Sequence, residues 1–173
     1  MSQRRIFQNE FPYFVTFNVF NGFYFFEDRS LAVWLSKEIF LSAQIKNYTV
    51  LAFQIMPNHV HLLIHKRTLE KVRLKTNIHI SPTPERMLSS VRSHNTGKPT
   101  ISDLMQSIKG NFSKKYQLNI WQRRFYTKII NTHTYLETII EYIKYNPVKT
   151  HLPSRYHKPP YQYFNWEEIG KLF

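Results

Sequence analysis

The sequence has no cysteine, only four glycines and 11 acidic residues among its 173 positions. Without thiols the chain can form neither a disulfide nor a thiolate metal site, so a bound metal would need nitrogen and oxygen ligands. So few glycines also make a Gly-rich loop that cradles nucleotide phosphates unexpected. The lack of cysteine agrees with a reducing compartment.

Long apolar runs are lacking as well. No window approaches the roughly 18 apolar residues of a membrane span. Residues 1–14, MSQRRIFQNEFPYF, have neither the apolar segment nor the cleavage pattern of a secretory signal. We therefore expect a cytoplasmic protein that has no membrane partner.

The chain is rich in positively charged residues and in hydrophobic residues. Its 24 lysines and arginines give a formal net charge of +13, while 42% of the residues are hydrophobic and 16% are aromatic. That apolar content is enough for the core of one domain. The basic surplus favours a polyanionic partner, most often nucleic acid. The alternative is a basic protein of the ribosomal kind.

Periodicity and capping patterns predict strand, helix, strand, strand, helix, strand and helix in that order. The predicted elements are a strand at Tyr13–Phe20, a helix with its N-cap at Ser30, a strand at Tyr48–Met56, a strand running from His59 to His65, a helix with a capping box at Thr100 and Asp103, a strand at Ile120–Ile130, and a helix with a capping box at Thr134 and Glu137 that Pro147 stops.

The first six of these elements form a βαββαβ series, which predicts an α+β, ferredoxin-like fold. Its four-stranded antiparallel sheet would carry helices on one face, with an additional C-terminal helix. We place a single domain at residues 1–152, interrupted by a basic excursion at 68–99 that we expect to be mobile or ordered only on binding. Residues 153–173 form an aromatic, proline-rich C-terminal tail.

The stretch QIMPNHVHLLIH contains two histidines separated by one apolar residue. In a strand, His59, His61 and His65 would share one face, and Val60 and its alternating neighbours would share the other. The sheet face without helices would then present His59 and His61, whose imidazoles can bind a divalent cation. The alternative is a pair of ordinary polar residues, and His65 is expected at the solvated end of the strand.

The stretch WQRRFYTKII places Tyr126 among cationic side chains. Arg123, Arg124 and Lys128 would favour both phosphate docking and the phenolate form of a tyrosine. A phenol needs such help to act as a nucleophile. Packing or base stacking by Tyr126 is the alternative.

Three motifs in order, MPNHVHLL, WQRRFY and YIKYNPVKTHL, together resemble the single-tyrosine transposases of the HUH superfamily. His59, Val60 and His61 match the histidine–hydrophobic–histidine signature from which the superfamily takes its name. The NPVK ending is more restrictive and is similar to the REP-associated tyrosine transposases. The resemblance extends from the first strand to about Leu152.

The resemblance implies a strand-transfer reaction on single-stranded, hairpin-forming DNA. His59 and His61 would hold Mg²⁺ or Mn²⁺, which polarises the scissile phosphate. Tyr126 would attack the phosphorus, giving a 5′-phosphotyrosyl intermediate and a free 3′-hydroxyl. A second strand end would then attack that linkage, so rejoining requires no ATP.

The sequence departs from the family pattern just after the tyrosine. Thr127 and Lys128 stand where an acidic residue and then a histidine or arginine are common. The third metal ligand of related enzymes follows the tyrosine, and Asn131 or His133 are the nearest candidates by chemistry. No motif chooses between them.

Contacts to DNA phosphates are expected from exposed cations near these motifs, whereas sequence or hairpin specificity would need base contacts. The predicted phosphate-binding residues are Lys109, Lys114, Lys115, Arg123, Arg124 and Lys128. For base contacts the candidates are the basic excursion and the aromatic side chains of the tail, which could stack on unpaired bases. The alternative for the tail is docking onto the domain itself.

Two other functions remain open at this stage. One is a non-catalytic hairpin-binding protein derived from such an enzyme, and the other is a hydrolytic metalloenzyme acting on a small phosphate substrate. The intact histidine pair and the basic surroundings favour the transposase. Homodimer or monomer is undecided, because related enzymes use both states.

Overall fold

The computed structural model describes residues 11–67 and 99–172. The strands are β1 (Tyr13–Asn18), β2 (Tyr48–Ile55), β3 (His59–Lys66), β4 (Tyr126–Ile129) and β5 (Gln162–Phe164), and the helices are α1 (Arg29–Ile45), α2 (Ile101–Tyr116), α3 (His133–Lys149) and α4 (Trp166–Ile169). The predicted α+β class is confirmed. Except for Pro99, the predicted basic excursion lies outside the described residues.

All five strands belong to one antiparallel sheet in the order β4-β1-β3-β2-β5. The predicted count of four strands is wrong, because residues 162–164 pair with residues 52–54 of β2. The strand that the sequence predicts at Ile120–Ile130 is shorter in the structure. Only Tyr126–Ile129 pairs with β1, and Trp121 forms an isolated bridge to Val19.

One sheet face packs on α1 and α2 and forms the larger part of the core. Alternate side chains of β1 and β3, including Val15, Phe17 and Leu62, lie in this core with apolar residues of both helices. Leu35 and Ile39 of α1, and Leu104 and Ile108 of α2, are completely buried there. Burial of a large aliphatic side chain stabilises a fold by about 1.5–3 kcal/mol, so this layer anchors the sheet.

The opposite sheet face is covered by α3. The apolar stripe of that helix, with Leu136, Ile139 and Ile143, packs on Phe14 and Leu63 of the sheet. The prediction of an open face is therefore wrong. A helix with an apolar stripe must bury it, and the face that α1 and α2 leave free is the available surface.

The helix N-termini follow capping chemistry, although not always at the predicted residue. The capping box of Thr100 and Asp103 on α2 is confirmed. Helix α1 is capped by Asp28, whose carboxylate accepts from the Ser30 amide at 2.7 Å, and not by Ser30. Both Asp and Ser are good caps, so the sequence alone could not choose between neighbours.

Helix α3 differs from its prediction at both ends. Its N-cap is Thr132, whose hydroxyl accepts from the Tyr135 amide, and not Thr134. Pro147 lies inside the helix, which continues to Lys149. Proline removes one backbone donor, but a buried proline near the last turn still adds apolar contact. The helix therefore extends beyond Pro147, where the sequence predicted that it would end.

None of the helices in residues 11–67 and 99–172 combines the length and the apolar character that crossing a membrane requires.

Candidate active site

A row of polar side chains crosses the sheet on the face that α3 covers. The strand register places Tyr126 opposite Thr16, Thr16 opposite His61, His61 opposite Gln54, and Gln54 opposite Gln162. Directly opposed residues of neighbouring antiparallel strands point to the same face. The predicted division of β3 is thus confirmed, with His61 on this face and Val60 and Leu62 on the other.

The two histidines of β3 face each other through their Nε2 atoms, which are 3.1 Å apart. His59 Nδ1 lies 2.7 Å from the side-chain oxygen of Asn58, whose own amide nitrogen donates to the Gly22 carbonyl. A carbonyl oxygen only accepts, so the His59 proton sits on Nδ1. The Nε2 atom of neutral His59 is therefore an unprotonated donor for a metal.

The His61 ring can take the same tautomer. Its Nδ1 lies 2.9 Å from the Thr16 hydroxyl, while its Nε2 lies 3.3 Å from both the Tyr142 hydroxyl and the Asn146 side-chain nitrogen. With the ring proton on Nδ1 and donated to Thr16, Nε2 can accept from those two groups or bind a metal. Two imidazole lone pairs thus converge.

Burial keeps both imidazoles neutral. It lowers the pKa of His59, and it lowers the pKa of His61 to about 3, with the neighbouring His59 adding to that effect. His61 is only 3% exposed. A neutral imidazole is the form that ligates metals, so the site needs no deprotonation near pH 7.

Tyr142 and Asn146 reach the histidine pair from α3. They are four residues apart, which places both side chains on one face of the helix. Phe14 stacks on the His61 ring at a centroid distance of 5.6 Å and meets the Tyr142 ring edge-on at 5.9 Å. These ring contacts fix the imidazole and the phenol relative to each other.

The arrangement fits a divalent cation. Two ligands at right angles on an ion with bonds of about 2.1 Å are separated by about 3 Å, and the Nε2 atoms stand 3.1 Å apart. Asn146 can supply a third ligand, because a flip of its carboxamide exchanges nitrogen and oxygen. With both ring protons on Nδ1, the two Nε2 lone pairs would repel each other at this distance, and a cation between them would remove that repulsion.

His65 and the two candidates for the third ligand, Asn131 and His133, lie apart from the pair. Within the described residues there is no group of three or more histidine, aspartate or glutamate side chains that could hold a metal. His65 is four residues along β3 from His61, a distance of about 13 Å. His133 begins α3, about 13 Å along the helix from Tyr142, with Glu137 3.5 Å from its Nδ1. Asn131 precedes that helix and is exposed.

Tyr126 shares the sheet face with His61 but lies two strands away, about 10 Å between Cα atoms. Its side chain is 55% exposed at the start of the edge strand β4. No hydrogen bond between described residues joins Tyr126 to either histidine. Its assignment as the nucleophile stays a prediction, and the contacts bring Tyr142 to the pair instead.

The predicted phosphate-binding cations lie on α2, in the segment before β4, and on β4 itself. Lys109 donates to the backbone carbonyls of Gln122 and Arg123, so it fixes the segment before β4, and burial lowers its pKa. Lys114 and Lys115 are exposed in the last turn of α2, and Arg123 and Arg124 are exposed before β4. The Lys128 ammonium lies 4.8 Å from the centre of the Tyr135 ring.

Comparisons with known proteins bear on the fold. No family profile and no curated protein matches the sequence. A solved structure described as a REP-associated tyrosine transposase bound to a REP hairpin superposes with a TM-score of 0.65 at 21% identity, covering all of this chain and 88% of the other. The chain has the fold of a REP-associated tyrosine transposase. A solved structure described as a candidate transposase from Deinococcus radiodurans gives a TM-score of 0.46 at 17% identity over 83% of this chain and 95% of the other.

Sequence reasoning missed Tyr142 and Asn146, although a signal was present. Both belong to the YIKYNPVK stretch that carries the resemblance to REP-associated tyrosine transposases. A polar pair at i and i+4 on a helix with an apolar stripe predicts one shared polar edge. What the sequence did not indicate was the sheet face on which this helix packs.

Proposed function

We propose that the protein is a metal-dependent transposase that cleaves and rejoins single-stranded, hairpin-forming DNA through a 5′-phosphotyrosyl intermediate. The observation that carries the proposal is the convergence of the Tyr142 hydroxyl and the Asn146 carboxamide on His61, beside His59. A nucleophile, two neutral imidazoles and an amide at one point suit phosphoryl transfer. The fold shared with a hairpin-bound transposase supports the same substrate class.

Tyr142 is the nucleophile in this proposal. Its phenolic oxygen attacks the phosphorus, and the bond from phosphorus to the 3′ oxygen of the preceding nucleotide breaks. The products are a 5′-phosphotyrosine and a 3′-hydroxyl, which receives the proton that the phenol gives up. In the second step another 3′-hydroxyl attacks the phosphotyrosine, the tyrosine leaves with its proton restored, and the DNA bond is remade without ATP.

The metal ligands are assigned to His59, His61 and Asn146. Bound Mg²⁺ or Mn²⁺ would supply Lewis-acid polarisation of the scissile phosphate. Thr16 and Asn58 hold the two imidazoles in the tautomer that leaves Nε2 free. Hydrogen-bond partners of metal-binding histidines typically contribute about 10–100-fold to metal affinity or activity.

His61 is better suited to bind a metal than to act as a general base. Although the Tyr142 hydroxyl lies 3.3 Å from its Nε2, the His61 pKa of about 3 makes it a poor acceptor of a phenolic proton. The proton of Tyr142 therefore leaves by another route, and the exposed edge of the side chain, 37% accessible, opens to solvent.

The experiment is a search for a covalent protein–DNA adduct. The full chain is incubated with labelled single-stranded hairpins bearing unpaired flanks, in Mn²⁺ or Mg²⁺, and denatured before electrophoresis. The proposal predicts an adduct that EDTA and His59→Ala abolish. Tight, salt-sensitive binding without an adduct over several hairpins would instead favour the non-catalytic hairpin-binding protein.

A further inference from the structure

Three large aromatic side chains are exposed in the segment between β1 and α1. This segment, called here the aromatic loop, comprises residues 20–25, FNGFYF. Phe20, Phe23 and Tyr24 are 57%, 60% and 61% exposed. A single exposed aromatic residue is ordinary, but three within five positions form a patch that a folded domain does not need for its own core.

The aromatic loop is fixed beside the histidine pair. The Asn58 side chain links the two directly, since its nitrogen donates to Gly22 and its oxygen accepts from His59 Nδ1. Backbone bonds complete the attachment, from Val19 to the Asn58 carbonyl at 2.8 Å and from Phe26 to the Pro57 carbonyl at 2.9 Å. The exposed rings therefore stand on a rigid support, one residue from a proposed metal ligand.

Exposed cations lie against the other end of the same loop. The Phe20 amide donates to the Ile120 carbonyl, and the Gln122 amide donates to the Asn18 carbonyl at 2.9 Å. Arg123 and Arg124 follow immediately and are exposed. Lys109 binds the Arg123 carbonyl and holds this segment in place. Aromatic and cationic side chains thus share the end of the sheet where His59 begins β3.

We infer that the aromatic loop is a stacking platform for unpaired bases of single-stranded DNA next to the scissile phosphate. Rings that stack on bases combined with cations that follow the phosphates are the physical basis of single-strand binding. A second copy of the chain is a poorer occupant, because each copy carries a net charge of +13. The acidic residues Glu27 and Asp28 follow the loop, and Asp28 is engaged in capping α1. The inference rests on the proposed function for the role of the bound strand.

The test measures binding without chemistry. In EDTA, fluorescence anisotropy gives the affinity of the full chain for a hairpin with a four-nucleotide unpaired flank, and for the same hairpin whose flank is abasic. The triple variant Phe20→Ala, Phe23→Ala, Tyr24→Ala is compared with wild type. Leu41→Ala with Ile45→Ala on α1 is the matched control, since those side chains are 52% and 63% exposed.

The wild type and the control should bind the base-bearing flank at least about 10-fold more tightly than the abasic flank, as stacking on even one base would give. The triple variant should bind both flanks equally, and replacing the three residues with tryptophan should restore the preference. Equal affinity of the triple variant and the wild type for the base-bearing flank would overturn the inference. The inference would also be overturned if the triple variant lost as much affinity for the hairpin with the abasic flank as for the one with the base-bearing flank.

This result is separable from the fate of the proposed chemistry. If wild type forms no adduct with Mn²⁺ but its base preference still disappears in the triple variant, the platform stands and the strand-transfer proposal fails. If wild type forms the adduct but shows no preference for bases in the flank, the chemistry stands and the platform fails.

Discussion

At the scale of single residues, His61 is where packing and chemistry meet. It is held by Phe14 through ring stacking, by Thr16 through Nδ1, and by Tyr142 and Asn146 at Nε2. Burial favours the neutral imidazole, and the contact with Thr16 suits the tautomer that directs the Nε2 lone pair towards His59. Sequence alternation predicted the histidine face correctly because β-strands place alternate residues on one side. It could not predict the partners, since they come from β1 and α3.

Thr16→Val should weaken metal binding without disturbing the fold. The change keeps the side-chain shape but removes the hydroxyl that accepts from His61 Nδ1. The imidazole then loses its fixed tautomer, and the affinity for Mn²⁺ should fall about 10-fold. Titration of Mn²⁺ followed by electron paramagnetic resonance measures this change. Thr49→Val on β2, away from the pair, should bind Mn²⁺ as wild type does.

His61 should also make the metal-free protein sensitive to acid. Burial lowers its pKa from 6.5 to about 3, so below pH 6.5 the unfolded chain takes up a proton that the folded chain does not. Stability is then fully present above pH 6.5 and is lost as the pH falls towards 3. Between pH 7 and pH 5, protonation of this one residue in the unfolded chain should cost the folded state about 2 kcal/mol of its free energy of unfolding.

Urea unfolding in EDTA at pH 7 and pH 5 measures that cost. His61→Gln should lose about 2 kcal/mol less than wild type over this interval. An unchanged pH dependence in His61→Gln would mean that His61 is not held neutral by burial.

At the scale of elements, α3 determines which polar side chains lie beside the histidines of the sheet. Its apolar stripe packs on the face opposite α1 and α2, and its polar edge brings Tyr142 and Asn146 to β3. The periodicity of each element was readable from the sequence, as the agreement of β1, α1, β2 and β3 with their predicted positions indicates. Long-range pairing was not readable. The proline-rich tail concealed β5, and Pro147 suggested a helix end that packing overrides.

The tail follows the docking alternative over much of its length. Tyr161 is buried in the main core, and Tyr163 stacks on Phe53 at a centroid distance of 5.6 Å. Trp166, in contrast, is 57% exposed and stacks on Phe164. An aromatic composition could not distinguish rings that fill a sheet edge from rings that await a ligand, because both environments favour them.

The N-cap of α3 provides a test at this scale. Thr132→Ala removes the hydroxyl that accepts from the Tyr135 amide and should lower the free energy of unfolding by about 1 kcal/mol. Thr134→Ala, at the residue that the sequence suggested, should change it by less than about 0.5 kcal/mol. Urea denaturation of both variants measures the difference. The reverse ranking would place the helix start two residues later.

At the scale of the whole molecule, the proposed function requires a DNA strand to reach the histidine pair. Among the described residues, helices pack on both sheet faces, so in the proposed function a DNA strand would reach the histidines at the end of the sheet where β1 ends and β3 begins. Exposed Arg123 and Arg124 lie at this end. A net charge of +13 draws polyanions to the surface in general, while these two side chains would place phosphates near the site.

Salt dependence tests that placement. Each phosphate contact to a single strand contributes about 0.7 to the slope of log affinity against log salt concentration. Arg123→Gln with Arg124→Gln should therefore reduce the magnitude of the slope by about 1.4 for hairpins of any sequence. Lys37→Gln on α1 should leave the slope unchanged. Anisotropy titrations from low to moderate salt give these slopes, and equal slopes for all three proteins would exclude the arginines as phosphate contacts.

The proposed chemistry depends on which tyrosine attacks the phosphorus, and two single-hydroxyl variants distinguish the candidates. Tyr142→Phe and Tyr126→Phe each remove a single hydroxyl and keep the ring, so the packing of Tyr142 on Phe14 persists. With labelled hairpin DNA and Mn²⁺, Tyr142→Phe should form no covalent adduct, whereas Tyr126→Phe should form it at the wild-type level. An adduct that forms with Tyr142→Phe but not with Tyr126→Phe would show that Tyr126, the residue predicted from the sequence, is the nucleophile and that Tyr142 is not.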